Sequence, residues 1–184
     1  MSPQDIAKDA IRVVRITNRK SAEGQLENAI LLWFNEKDLS SIHTLAVAAQ
    51  GILNSMCKAR KMPGSQLEAL IRAKSRSFQD AIRSPQNFYK HGDHKKSATN
   101  HVLGHEEMVI LDCISMYQRL FDSLTPLMKL FAIRHSLFNP GVFPIKIETK
   151  GIKIEDLARF SRADFLKKVL PCLRGQVGSV HFST

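Results

Sequence analysis

The chain has 184 residues, 43% hydrophobic and 24% charged, which fits one soluble domain with a core and excludes a disordered chain. No run approaches the roughly 20 apolar residues of a membrane span, and a formal net charge of +10 favours a polyanionic partner, RNA or DNA ahead of a membrane surface. The cysteines Cys57, Cys113 and Cys172 contain no C-x-x-C pair for zinc or thioredoxin-like chemistry. Together with a polar Met1–Asp5 that lacks the apolar core of a signal peptide, they point to a reduced, cytoplasmic protein.

Residues 1–20 form an N-terminal segment of mixed pattern. Ser2-Pro3 suits a helix start, and Ile11–Thr17 is β-branched enough to be extended. From Ser21 the apolar positions Leu26, Ala29, Ile30 and Trp33 recur at helical spacing to about Lys37. Leu31, Leu32 and Phe34 widen that stripe until the helix is apolar nearly all round, the mark of a central helix. Asp38 or Ser40 then caps a second helix with a stripe of Ile42, Leu45, Ala46, Ala49, Ile52, Leu53 and Met56. Met62–Ser65 breaks the chain. A more polar helical region over 65–83 is expected to stop at Ser84-Pro85, because proline lacks a donor and disfavours helix at the residue before it.

The next stretch concentrates chemistry: Asn87-Phe88-Tyr89-Lys90-His91-Gly92-Asp93-His94, expected on a turn or short helix and followed by a polar loop to Thr99. A strong helix is predicted over 104–123, on Leu103, Ile110, Ile114, Tyr117 and Phe121. Another runs from Thr125-Pro126 to about His135, ended by Asn139-Pro140-Gly141. In the tail, Phe143–Glu148 and Lys150–Ile154 alternate like a small hairpin, and a last helix begins at Ser161 and breaks near Pro171. The predicted fold is an all-α antiparallel helical bundle over 21–140 with a short α+β extension over 141–184.

Charge gathers where the motif lies. Between Lys58 and Lys96 ten basic residues face only Glu68, Asp80 and Asp93, so this stretch holds +7 of the +10. Three roles suit the motif. In acid–base chemistry His91 moves a proton, Lys90 stabilises a phosphate and Asn87 or Asp93 orients the imidazole. In RNA binding Tyr89 or Phe88 stacks on a base while Lys90, Lys95 and Lys96 meet phosphates. In a structural role Asn87 caps, Phe88 packs inward and His91-Gly92-Asp93 closes a loop. His43, on the flank of the second helix's stripe, is a packed or capping residue unless the fold brings it to His91.

Metal ligation is the third class. His91-x-x-His94 and His101-x-x-x-His105-Glu106-Glu107 invite it, but on a helix His101 and His105 would share a face nearly opposite Ile110, Ile114 and Tyr117. That detaches them from the core and from the motif. Neither H-E-x-x-H nor the Glu-x-x-His of di-iron bundles is present, and no cofactor is expected. Glu106 and Glu107 flank the core stripe one turn before Ile110. They need partners there, which the histidine-bearing motif upstream offers, or else they complement the helix dipole.

Gln25-Leu26-Glu27, Ser41-Ile42-His43-Thr44-Leu45-Ala46 and Asn87–Asp93 together resemble a family of small bacterial proteins of uncharacterised activity, over roughly residues 20–140. More distantly the chain resembles the HEPN superfamily, whose members are α-helical bundles, often dimers, and many of them metal-independent ribonucleases. Their mark is an arginine a few residues ahead of a histidine lining a dimer cleft; here seven residues separate Arg83 from His91. The resemblance implies a homodimer that binds or cuts RNA. His91 would be its acid–base group, Lys90 and Arg83 its phosphate contacts, Asn87 and Asp93 its orienting groups, and His43 would stand across the cleft. The competing expectation is a non-enzymatic interaction protein whose polar cluster only stabilises the bundle.

Overall fold

Thr17, Asp38, Ser65, Thr125 and Ser161 each turn a side-chain oxygen onto the backbone N–H three residues on, and a helix starts after each. A computed structural model describes residues 14–91, 98–139 and 154–175. Among these residues the secondary structure is entirely helical: α1 Asn18–Phe34, α2 Leu39–Ala59, α3 Gln66–Arg72, α4 Arg76–His91, α5 His105–Phe121, α6 Pro126–Phe138, the single turn α7 Ile154–Leu157, and α8 Arg162–Leu173.

The four residues between α1 and α2 return the chain on itself, and the two helices pack along each other as an antiparallel hairpin. α2 presents its other side to α5. Small residues make the double contact close: Ala22, Ala29, Ala46 and Ala49 are fully buried between larger Leu26, Ile30, Phe34, Leu53, Ile110 and Met116. α6 and α8 close the far side with Met128, Phe131 and Phe165, and Trp33, Phe34 and Phe131 meet edge to face. Each such side chain contributes about 1.5–3 kcal/mol by leaving water.

Asp112 ties the polar α3 to this core. Buried on α5, it accepts from the N–H groups of Gln66 (3.0 Å) and Leu67 (3.2 Å) and from Gln50 Nε2 (2.9 Å). The unpaired donors of a helix start are thereby satisfied by a core carboxylate.

Three expectations change. The region over 65–83 is two helices: Gln79 Nε2 donates to the carbonyls of Arg72 and Lys74, and Ser75 Oγ accepts from Phe78 N, so α3 ends and α4 starts within three residues. Pro85 does not stop α4, which runs on to His91; the ring is buried, and burial against the neighbouring helices offsets the missing donor. α8 likewise passes through Pro171. The expected hairpin lies outside the described residues, except that its last residue, Ile154, opens α7.

One face remains apolar and open. Leu70, Phe78, Val102, Leu103 and Met108 are exposed, Leu103 at 85%, around a groove of about 270 Å³ that Leu67, Ile71 and Ile82 floor. Among the described residues no helix is long and apolar enough to cross a membrane.

Candidate functional site

Because α4 continues past Pro85, its last turns carry Asn87–His91, with Tyr89 set against the start of α2 and the loop before α5. Tyr89 meets His43, which sits on the second turn of α2 with its side chain fully buried. The loop before α5 brings in His101, and α5 opens with His105 and Glu106. His43 is the hub. Its ring lies 5.0 Å from that of His101, 5.2 Å from that of His105 and 5.7 Å from that of Tyr89, centroid to centroid.

A hydrogen-bonded chain runs through this cluster. His101 Nε2 lies 3.1 Å from Glu106 Oε2, both side chains buried, and His101 Nδ1 lies 3.5 Å from the Tyr89 hydroxyl. With Glu106 ionised, Nε2 carries the proton and donates to it, leaving Nδ1 to accept from Tyr89. Burial raises the Tyr89 phenol above its ordinary value, and the charges of Glu106 and Asp38 raise it further, so the phenol stays protonated and is the donor. Burial lowers His105, and His101 adds to this against the opposing pull of Glu106 and Glu68. The site therefore pairs an imidazole anchored to a carboxylate with one held towards its neutral form.

The expected outward face of His101 and His105 is overturned. α5 begins at His105, so His101 approaches along an extended loop to which the helical wheel does not apply. Both rings turn onto His43. Glu106 and Glu107 are likewise more than dipole partners: Glu106 is buried against His101, while Glu107, next in sequence, faces the opposite side and accepts from Trp33 Nε1 at 3.0 Å and Arg162 Nη2 at 3.3 Å.

Of the residues singled out by sequence, His43 and Tyr89 belong to the cluster. Lys90 and His91 are the last two residues of α4, directly after Tyr89. Asn87 is exposed within α4 and so does not cap a helix; two residues from Tyr89, it stands about 200° round the helix. Arg83 lies further down α4, bonded to Glu68 (3.3 Å) and Gln79 (3.4 Å). Asp93, His94, Lys95 and Lys96 lie outside the described residues. The residues that sequence reasoning set aside, His101 and His105, carried a usable signal: four-residue histidine spacing running into Glu106, an acid already expected to need a partner, at a helix start.

Among the described residues no group of three or more His, Cys, Asp or Glu is arranged to hold a metal ion. His105 also lines the apolar groove, so the cluster has an edge on an open surface. Comparison of the chain with models of known families, with curated proteins and with solved structures finds no match.

Proposed function

We propose that this protein is a HEPN-like, RNA-interacting bundle whose histidine cluster performs metal-independent acid–base chemistry on a phosphodiester. The observation that carries this reading is the pair of unlike imidazoles, His101 on Glu106 and His105 at the groove, beside the end of the most basic stretch of the chain. Cleavage of RNA by its own 2′-hydroxyl needs a base to take that proton and an acid to protonate the departing 5′-oxygen. His105, held towards neutrality, suits the base. His91, at the end of α4, suits the acid, and His101, held by Glu106 and Tyr89, positions the cluster. Arg83, Lys90, Lys95 and Lys96 supply phosphate contacts, and the exposed apolar face supports the expected dimer.

The test is cleavage of a mixed RNA pool in the presence of a chelator, by the intact protein and by His105→Ala, His101→Ala and His91→Ala. A cleaving protein is expected to leave 2′,3′-cyclic phosphate ends and to lose at least a hundredfold in rate in His105→Ala. RNA left intact, with binding unchanged in all three variants, sinks the reading.

A second reading, a non-enzymatic interaction protein, is favoured by the apolar groove itself, since exposed contiguous apolar surface marks association sites. There the cluster is a buried polar brace, and each histidine variant lowers the melting temperature without any activity to lose. Sedimentation of Leu103→Glu separates the two uses of that face: a dimer becomes a monomer, or the mass is unchanged.

A further inference from the structure

On the other side of Glu107 is a second polar pocket, independent of the histidine cluster. It has a volume of about 170 Å³, and Trp33, Glu107, Arg134, His135, Phe138 and Arg162 line it together with Asn139. The end of α1, the first turn of α5, the last two turns of α6 and the first residue of α8 meet there.

Among the described residues its charges do not balance. Arg162 bonds to Glu107, and its Cζ lies over the indole of Trp33, 3.9 Å from the ring centre. Arg134 is buried, sandwiched against Phe138 and Phe165 (4.5 and 5.1 Å), and gives one N–H to the carbonyl of Phe160 at 2.9 Å. Among the described residues it forms no ion pair. Glu107 is already shared by Trp33 Nε1 and Arg162, with His135 Nδ1 at 3.8 Å. Burial lowers Arg134 from the ordinary arginine value, and the neighbouring charge of Arg162 acts in the same direction against a weaker pull from Glu36. Among the described residues, two guanidiniums thus face one pocket with a single carboxylate between them. A guanidinium out of water needs a counter-charge, and its remaining N–H groups are pre-aimed for the two oxygens of a planar or tetrahedral anion.

We propose that this pocket binds the oxyanion head of a small ligand, a phosphate monoester or a carboxylate, between Arg134 and Arg162, with Trp33 and Phe138 flanking its body. The space equals that of about five waters, which admits an anionic head and a small apolar group and excludes a polymer.

The chain carries its own reporter. Trp33 is its sole tryptophan, and it forms a wall of the pocket. The full chain is titrated with inorganic phosphate, phenyl phosphate and benzoate at ionic strength matched by sodium chloride, following tryptophan emission. A saturable change is expected with at least one of them and none with chloride. A response to the two phosphates alone assigns a phosphate head, and a response to benzoate alone a carboxylate head. Arg162→Gln and Arg134→Met are each expected to weaken binding at least tenfold, and Arg72→Gln, at the end of α3 and outside the pocket lining, to leave it unchanged. If Arg134→Met does not fold, Arg162→Gln decides, because its side chain is about a third exposed. No saturable change with any of the three probes, or one that persists undiminished in the folded Arg variants, overturns the proposal.

Discussion

Glu106 and Glu107 are neighbours with separate tasks, and substitution separates them. Glu106→Gln keeps the size but loses the charge that anchors His101, and its cost is about 1–2 kcal/mol by urea denaturation, with tryptophan emission unchanged. Glu107→Ala removes the acceptor of the Trp33 indole, so emission shifts while His101 keeps its partner. A shift in the first variant and none in the second would contradict the two-sided arrangement. The histidines give the molecule a pH response. His105 and His135 are both lowered chiefly by burial, so the unfolded chain takes up their protons first as pH falls. Stability is therefore complete above the ordinary histidine value of 6.5 and declines below it, until the folded rings charge as well. Thermal melts between pH 7.5 and 5 should show this fall, and His105→Gln with His135→Gln should flatten it.

At the scale of elements, α3 shows how a polar helix is kept. Its N-terminal donors end on Asp112, so Asp112→Ala strands two backbone N–H groups and Gln50 at a cost of about 3 kcal/mol; urea titration measures it, with α3 loosening first. The α1–α2 hairpin was legible in sequence because cap, stripe and small residues all agree there, from Asp38 through Ala46 and Ala49. α4 was not, since local rules end a helix at Ser84-Pro85 and only the burial of that ring in the folded chain carries it on to His91. The same error displaced the site. With the motif on a turn or short helix of its own and His101 sharing an outward helix face with His105, Tyr89, His101 and His43 appear unrelated; a longer α4 and a loop carrying His101 into α5 bring them within ring contact. His43 was legible only on the condition of nearness to His91; the contacts it makes with Tyr89, His101 and His105 are encoded by no periodicity along the chain.

For the molecule as a whole, the proposed RNA binding would answer to salt through the basic residues behind the +10 charge. On single strands each phosphate contact contributes about 0.7 to the slope of log affinity against log salt. If Lys90, Lys95 and Lys96 meet phosphates, replacing all three by alanine flattens that slope by about 2, measured by fluorescence anisotropy across a salt series. An unchanged slope removes these lysines from the proposed RNA contacts. The proposed anion pocket behind Trp33 answers less steeply, since the buried guanidinium of Arg134 is screened less by salt than surface lysines are.

α5 alone among the helices with a described cap begins without a side-chain cap, at Gly104 in the left-handed region with φ of 82°, and its first three residues are His105, Glu106 and Glu107. Fraying of this one turn would open the histidine cluster and the anion pocket in a single event, because each hangs from a consecutive glutamate. Local opening is thus a shared coordinate of two otherwise separate sites. Amide hydrogen exchange should be faster at 105–108 than at 110–117. An anion held between Arg134 and Arg162 should slow it at His105 and Glu106, residues it never touches, so that occupancy of one side of α5 stiffens the other.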